Sequence, residues 1–376
     1  MWRVNGQRGF SLVELMVGVT VGLLAVYATY RIYENVERNY RAVETVNEAQ
    51  MAGLYATFVL SHELGNAGSG VMSNYGVLRA CTTVPTFPTN EAGSPPFPLY
   101  PLPVAIIPDV VNTLVDDVFV FYGTGNFTDK PISVSAVTPP NVFSLRAPLG
   151  LAQGSVLVAP SSTIDCAAFV AANVTNAGDG IVNITVGTNQ LLDGVVHAGD
   201  SLIDLGGVAR RRFYVDNNET LQMEVWEVNA SAGHNNWKIA RVVPIASNVV
   251  AFKAQYGISD DDSDVITRWM TPDGATLAAI IGATPALPAE NIKAIRFGLI
   301  VRAAEPDIEL RNDTGTDVIK EEFFFQDCSV GMTCDNQPGG MRIDLLVSEA
   351  GQAYGWRYRK YETTTPLLNT VWNWRM

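Results

Sequence analysis

A chain of 376 residues that is 47% apolar and 17% charged can bury one large core or two small ones, and it does not have the composition of a disordered polymer. Its formal net charge of −13, from 38 acids against 25 Lys and Arg, argues against a nucleic-acid surface, which needs clustered cations.

Residues 1–9 carry Arg3 and Arg8 and no acid, and residues 10–30 form a mostly apolar run whose one charge is Glu14. About twenty apolar residues suffice to cross a bilayer as a helix. A carboxylate inside such a span costs about 2.5–3.5 kcal/mol on insertion scales, which marks it as functional. A secretory signal peptide would have a shorter apolar region and a small-x-small cleavage site after it, and neither is found. A plain membrane anchor gives no reason for the placing of Gly9, Phe10 and Glu14. Gly18 and Gly22 form a GxxxG pair, which is read equally well as a close-approach face or as ordinary glycine tolerance in a membrane helix.

The stretch Gly9-Phe10-Ser11-Leu12-Val13-Glu14 resembles the class III leader of type IV pilins and of the pseudopilins of type II secretion. The resemblance implies that a prepilin peptidase cuts between Gly9 and Phe10 and methylates the new Phe10 amine. Glu14 lies four residues beyond Phe10, on the same helical face. Buried charge is tolerable only when paired, so the amine of one subunit and Glu14 of its neighbour would set the register of a helical bundle.

Downstream, Ile32, Val36, Tyr40, Val43 and Val46 recur at helical spacing among charged residues, and Leu54, Phe58 and Leu64 extend the set. No proline precedes Pro85, and Gly65, Gly68 and Gly70 supply the stop. One helix of roughly 80 Å is expected, its first half in lipid and its second packed on a head. Eight prolines between Pro85 and Pro108 then mark an irregular excursion, apolar enough to lie against the head. Beyond it the chain reads as strands: 117–122, 155–159, 180–186, 200–205, a hairpin of 212–215 and 220–226 around Asp216-Asn217-Asn218-Glu219, then 238–243, 249–256, 292–302, 340–346 and 355–365, with a short helix near 273–281. The expected fold is α+β and type IV pilin-like, a long N-terminal helix packed on a large head of antiparallel sheets. Its segments are a leader (1–9), a transmembrane half-helix (10–30), an amphipathic half-helix (31–65) and a β-rich extracytoplasmic head (66–376) with a Pro-rich excursion at 85–108.

Cys328 and Cys334 stand close enough for a loop staple worth about 2 kcal/mol in an oxidising compartment. Cys81 and Cys166 are candidates for a second bridge that the sequence leaves open. Asp260, Asp262 and Asp264 alternate as calcium ligands do, but without the glycine and distal glutamate of an EF-hand, so a solvated turn is the simpler reading. The basic runs Arg210-Arg211-Arg212 and Arg357-Tyr358-Arg359-Lys360 read as strand residues with solvated ends. His62, His197 and His234 are isolated, and no GxSxG, Walker or dinucleotide pattern occurs, so no enzyme and no cofactor other than calcium is expected.

The order of Phe252-Lys253-Ala254-Gln255-Tyr256-Gly257-Ile258, the acidic turn, the apolar-Arg strand 292–302 and Trp356-Arg357-Tyr358-Arg359-Lys360 running into Thr363-Thr364-Thr365 resembles the PilW family of minor pilins, kin of pseudopilin J. The acidic turn lacks the glycines frequent in that family. The resemblance implies an inner-membrane subunit with a periplasmic head that primes pilus assembly and sits at the tip. It implies as partners other minor pilins, the major pilin and a large tip adhesin, with no nucleic acid. A type II secretion pseudopilin and a membrane-anchored adhesion module are the alternatives.

Overall fold

A computed structural model describes residues 11–74, 89–90, 102–123, 131–139, 141–146, 150–159, 167–186, 196–229, 236–260, 263–273, 288–305, 321–328, 332–335, 339–345 and 356–372. Gly9, Phe10, Cys81, Cys166, Asp262 and most of the expected 273–281 helix lie outside them.

Helix α1 (Leu12–Asn66) is one uninterrupted element of 55 residues, about 80 Å long. It is long and apolar enough to cross a membrane. Ser11 is its N-cap, and the hydroxyl accepts the Glu14 amide N–H at 3.2 Å. At its end the Ala67 N–H bonds the Leu64 carbonyl, and Gly68 and Gly70, both at positive φ, turn the chain into the head.

The head is built on a six-stranded sheet in the order β1 (Thr89–Asn90), β12 (Asn236–Ala246), β11 (Leu221–Asn229), β10 (Val208–Val215), β3 (Asp116–Gly123), β2 (Val104–Pro108). β10 and β3 are antiparallel neighbours, yet a closed barrel intervenes between them in sequence. The barrel strands are β4 (Ile132–Thr138), β5 (Val142–Arg146), β6 (Val156–Ala159), β7 (Ala167–Gly178), β8 (Ile181–Val186) and β9 (Ser201–Gly206), in the order β4-β5-β8-β7-β6-β9. An insertion between paired strands leaves their ladder intact. The barrel packs on the sheet through Val156, Val158, Val170, Ile203 and Leu205, which meet Phe121 and Trp226.

A second sheet of five strands lies under α1, in the order β17 (Thr333–Cys334), β14 (Arg268–Met270), β13 (Val249–Ile258), β15 (Ile292–Arg302), β19 (Tyr358–Pro366). A small pair, β16 (Glu321–Phe324) and β18 (Met341–Asp344), and the terminal helix α2 (Leu368–Trp372) complete the described elements. All of β13 and all of β15 except Arg302 are buried, as expected of strands covered on both faces. On β15, a Cβ at Gly298 would lie 2.6 Å from the Phe324 ring, so only glycine admits that close approach. The two sheets join through a bridge from Val115 to Phe252 and through the ion pair of Lys253 with Asp116, which is 1% exposed.

Several expectations change. The excursion ends in a core strand, since Val104, Ala105 and Ile106 of β2 are buried. Two strand pairs, β1–β12 and β14–β17, are parallel. The barrel was not foreseen. Arg210 is not a solvated residue: it is 1% exposed with its guanidinium 4.9 Å from the Trp226 ring, and Arg212 binds Asp117 and Glu224. Those partners stand opposite on β11 and β3, invisible to a reading along the chain.

Candidate functional site

The functional element is α1 together with its junction to the head. Its first turn places Glu14 next to the capped end, where a carboxylate also offsets the helix dipole. The Ser-x-x-Glu spacing of Ser11 and Glu14 is a capping signal that a reading centred on Glu14 alone overlooks. Leu12, Leu15, Met16, Val19, Leu23 and Leu24 are all more than half exposed, as they must be to meet lipid or other helices. Thr20 and Thr29 satisfy their hydroxyls on carbonyls of the preceding turn, which removes the polar cost of placing them in an apolar span.

Among the described residues the buried face of α1 begins at Ala49. The buried face is Ala49, Ala56, Leu60 and Leu64, with Gly53 between them. Its small residues allow close approach: the Tyr361 ring fills the space where a Gly53 Cβ would lie, at 2.1 Å, and the Tyr361 hydroxyl donates to the Gln50 carbonyl at 3.2 Å. At the upper end Asn369 donates to the Asn66 and Ala67 carbonyls, so β19 runs alongside α1 in the same direction. The junction is closed by the Tyr122 hydroxyl, which donates to Glu63 at 2.8 Å. Burial, and then the Glu63 charge, push the Tyr122 phenol up to about 12.

This corrects the expected packing. Ile32, Val36, Tyr40 and Val43 do not meet the head; each is at least 60% exposed, and Leu54 and Phe58 are exposed too. On a 3.6-residue period Val36, Tyr40, Val43, Leu54 and Phe58 lie on the side opposite Ala49, Ala56 and Leu60. The expected apolar set therefore splits: Ile32, Val36, Tyr40, Val43, Leu54 and Phe58 are left open, Val46 is half-buried, and Leu64 docks together with Leu60 and the small residues Ala49, Gly53 and Ala56.

The other candidates are placed as follows. Cys328 and Cys334 form a disulfide with S–S 2.04 Å. Beside it the Arg296 guanidinium lies 4.5 Å from the Trp269 ring and 4.7 Å from the Phe325 ring, and Nε donates to Gln255. Burial lowers the Arg296 value to about 10. Asp260 binds Arg268 at 2.9 Å and accepts from the Thr267 hydroxyl at 2.9 Å. No group of three or more His, Cys, Asp or Glu that could hold a metal ion occurs among the described residues. Arg357 and Arg359 are exposed, and Lys360 bonds the Phe323 carbonyl.

Comparison with known families gives two matches. Residues 4–27 match the prokaryotic N-terminal methylation motif. Residues 212–369 match the family of type IV pilus-assembly protein W. The second match runs from β10 to α2; it includes the five-stranded sheet and excludes the barrel. No curated protein and no solved structure matches the chain. The chain thus joins a prepilin-type N-terminus and a long apolar helix to a head whose residues 212–369 are similar to the PilW family, the make-up of a type IV pilus-related pilin.

Proposed function

We propose that this protein is a minor pilin that primes type IV pilus assembly and forms part of the complex at the pilus tip. The observation that carries the reading is the division of α1. Its docked stretch from Ala49 holds the head, and an apolar length below it, with a face continuing past the head, is left exposed for other subunits. In this reading a prepilin peptidase cuts between Gly9 and Phe10, and the Phe10 amine and Glu14 pair between neighbouring subunits. The partners are other minor pilins, the major pilin and a large tip adhesin. The head stands in the periplasm until assembly carries it to the cell surface. The role is structural, through packing rather than chemistry.

A gene deletion scored for surface pili and for secreted exoproteins in the same strain tests this reading. Loss of pili and twitching with normal secretion is expected. Loss of secretion with normal pili would assign the chain to a type II secretion pseudopilus instead. Survival of both would favour a membrane-anchored adhesion module, with the barrel, outside the family match, as its natural binding unit.

A further inference from the structure

Among the described residues β19 is an edge strand of the five-stranded sheet, with no further strand on its outer side. The Ala303 N–H bonds the Arg357 carbonyl and the Leu367 N–H bonds the Lys293 carbonyl, each at 2.8 Å. Because antiparallel rungs alternate, the odd-numbered residues of β19 bond β15, and the even-numbered ones direct N–H and C=O away from it. Lys360, Glu362 and Thr364 are exposed, and none has a backbone partner on that side among the described residues. Such edges are normally blunted by charged side chains. Here two of the three charges of β19 are turned onto one face: Lys360 Nζ donates to the Phe323 carbonyl at 2.8 Å, and Glu362 accepts the Phe325 N–H at 3.2 Å, while Arg359 is exposed near the start of the strand. The middle of the strand is thus left without blunting side chains, between Arg359 at the start and Pro366, which pairs with Ala294 and has no N–H to offer, at the upper end.

We propose that β19 receives an extended segment of a neighbouring prepilin-type subunit other than a second copy of this chain, which adds a strand to the five-stranded sheet. The proposal rests on the assembly reading above. Two features select the occupant. β19 runs in the direction of α1, so a subunit anchored alongside in the same membrane offers segments along the same axis. Arg359 is exposed near the start of the strand in a chain of net charge −13, which calls for an acidic segment at that end, while Thr363 and Thr364 call for an uncharged one above. Backbone rungs would supply affinity and the arginine the register.

The test places the photocrosslinking residue p-benzoylphenylalanine at Thr364, and separately at Phe58 on the open face of α1, in the full-length protein in its own cell envelope. Adducts from both positions with another prepilin-type subunit are expected, the Thr364 adduct mapping to an acidic extended segment of its head. Adducts from Phe58 with none from Thr364 overturn the proposal and leave the assembly reading standing, as does a Thr364 adduct only with a second copy of this chain. Adducts from neither position overturn both. Thr364→Pro removes one outward N–H without touching the β15 ladder, and Arg359→Glu reverses the local charge. With an unchanged melting temperature, at least a tenfold loss of the co-purified subunit is expected for Thr364→Pro, and a several-fold loss for Arg359→Glu. Full co-purification of either well-folded variant contradicts the proposal.

Discussion

The barrel and the five-stranded sheet share one neighbour, the six-stranded sheet, and are held together by different means. The barrel is centred on an apolar cluster: Phe143 packs edge-on against Phe169, with Val134, Leu145, Leu157, Ile184 and Leu202 around them, and the one buried charge on its strands among the described residues, Asp204, accepts the Gly206 N–H locally. Its surface hydroxyls and amides pair locally, as Ser144 does with Asn183 at 2.6 Å. Closure removes its edges. The five-stranded sheet buries Lys253, Gln255, Lys293 and Arg296 among its apolar residues, holds α1 through Ala49, Gly53, Ala56, Leu60 and Leu64, and among the described residues ends in an edge strand, β19. A closed module can be inserted at a hairpin without asking anything of its host. A sheet that must hold a helix is fixed instead by contacts between distant parts of the chain. The family match falls on the second and omits the first.

The contrast breaks most severely at Asp116. Asp116→Asn leaves Lys253 buried without a counter-charge, and a loss of about 3–5 kcal/mol is expected in denaturant unfolding of the head. Asp116→Leu combined with Lys253→Met recovers most of it; a double variant as weak as the single would show that the pair acts through something other than charge. A comparable loss, about 3–5 kcal/mol, is expected from Phe169→Ala, but confined to the barrel. Hydrogen exchange should then quicken in β4–β9 and stay slow in β13 and β15, and pilus number should hold. Equal loosening of both regions would merge them into one cooperative unit.

A smaller effect separates them by pH. The Tyr122 phenol stands at about 12 in the folded head against an ordinary 10, so folding favours the neutral form. The stability this contributes is complete below pH 10 and is lost as pH rises from 10 towards 12. Tyr122→Phe should remove that part of the alkaline loss, read as a flatter melting profile above pH 10. The smallest expected effect is at the acidic turn. Adding calcium should leave the melting temperature unchanged, because Asp260 is already engaged by Arg268 and Thr267. A clear rise would mean that Asp260, Asp262 and Asp264 form a calcium site at the cost of the Arg268 pair.

Much of the assembly element was legible in the sequence. Length and apolarity reveal α1, glycines its end, and Asp216-Asn217-Asn218-Glu219 the β10–β11 hairpin. Of the docking face only Leu64 was, because Ala49, Gly53 and Ala56 carry little hydrophobic signal and matter through how close they let Tyr361 come. The barrel was hidden for a related reason. β4 and β7 run through Ser133-Val134-Ser135-Ala136 and Asn173-Val174-Thr175-Asn176, small polar strands whose closure into a ring is a tertiary fact. β2 was masked by the prolines that flank it, and Arg210 by a Trp226 partner on the next strand.

The central claim is that α1 builds a pilus through Glu14, and the most direct measurement is a count of surface pili in a deletion strain complemented with the Glu14→Leu protein. Membrane levels equal to those of the unaltered protein, with few or no pili and little recovery of neighbouring subunits, are the predicted result. Normal piliation by Glu14→Leu at equal membrane levels would contradict the account.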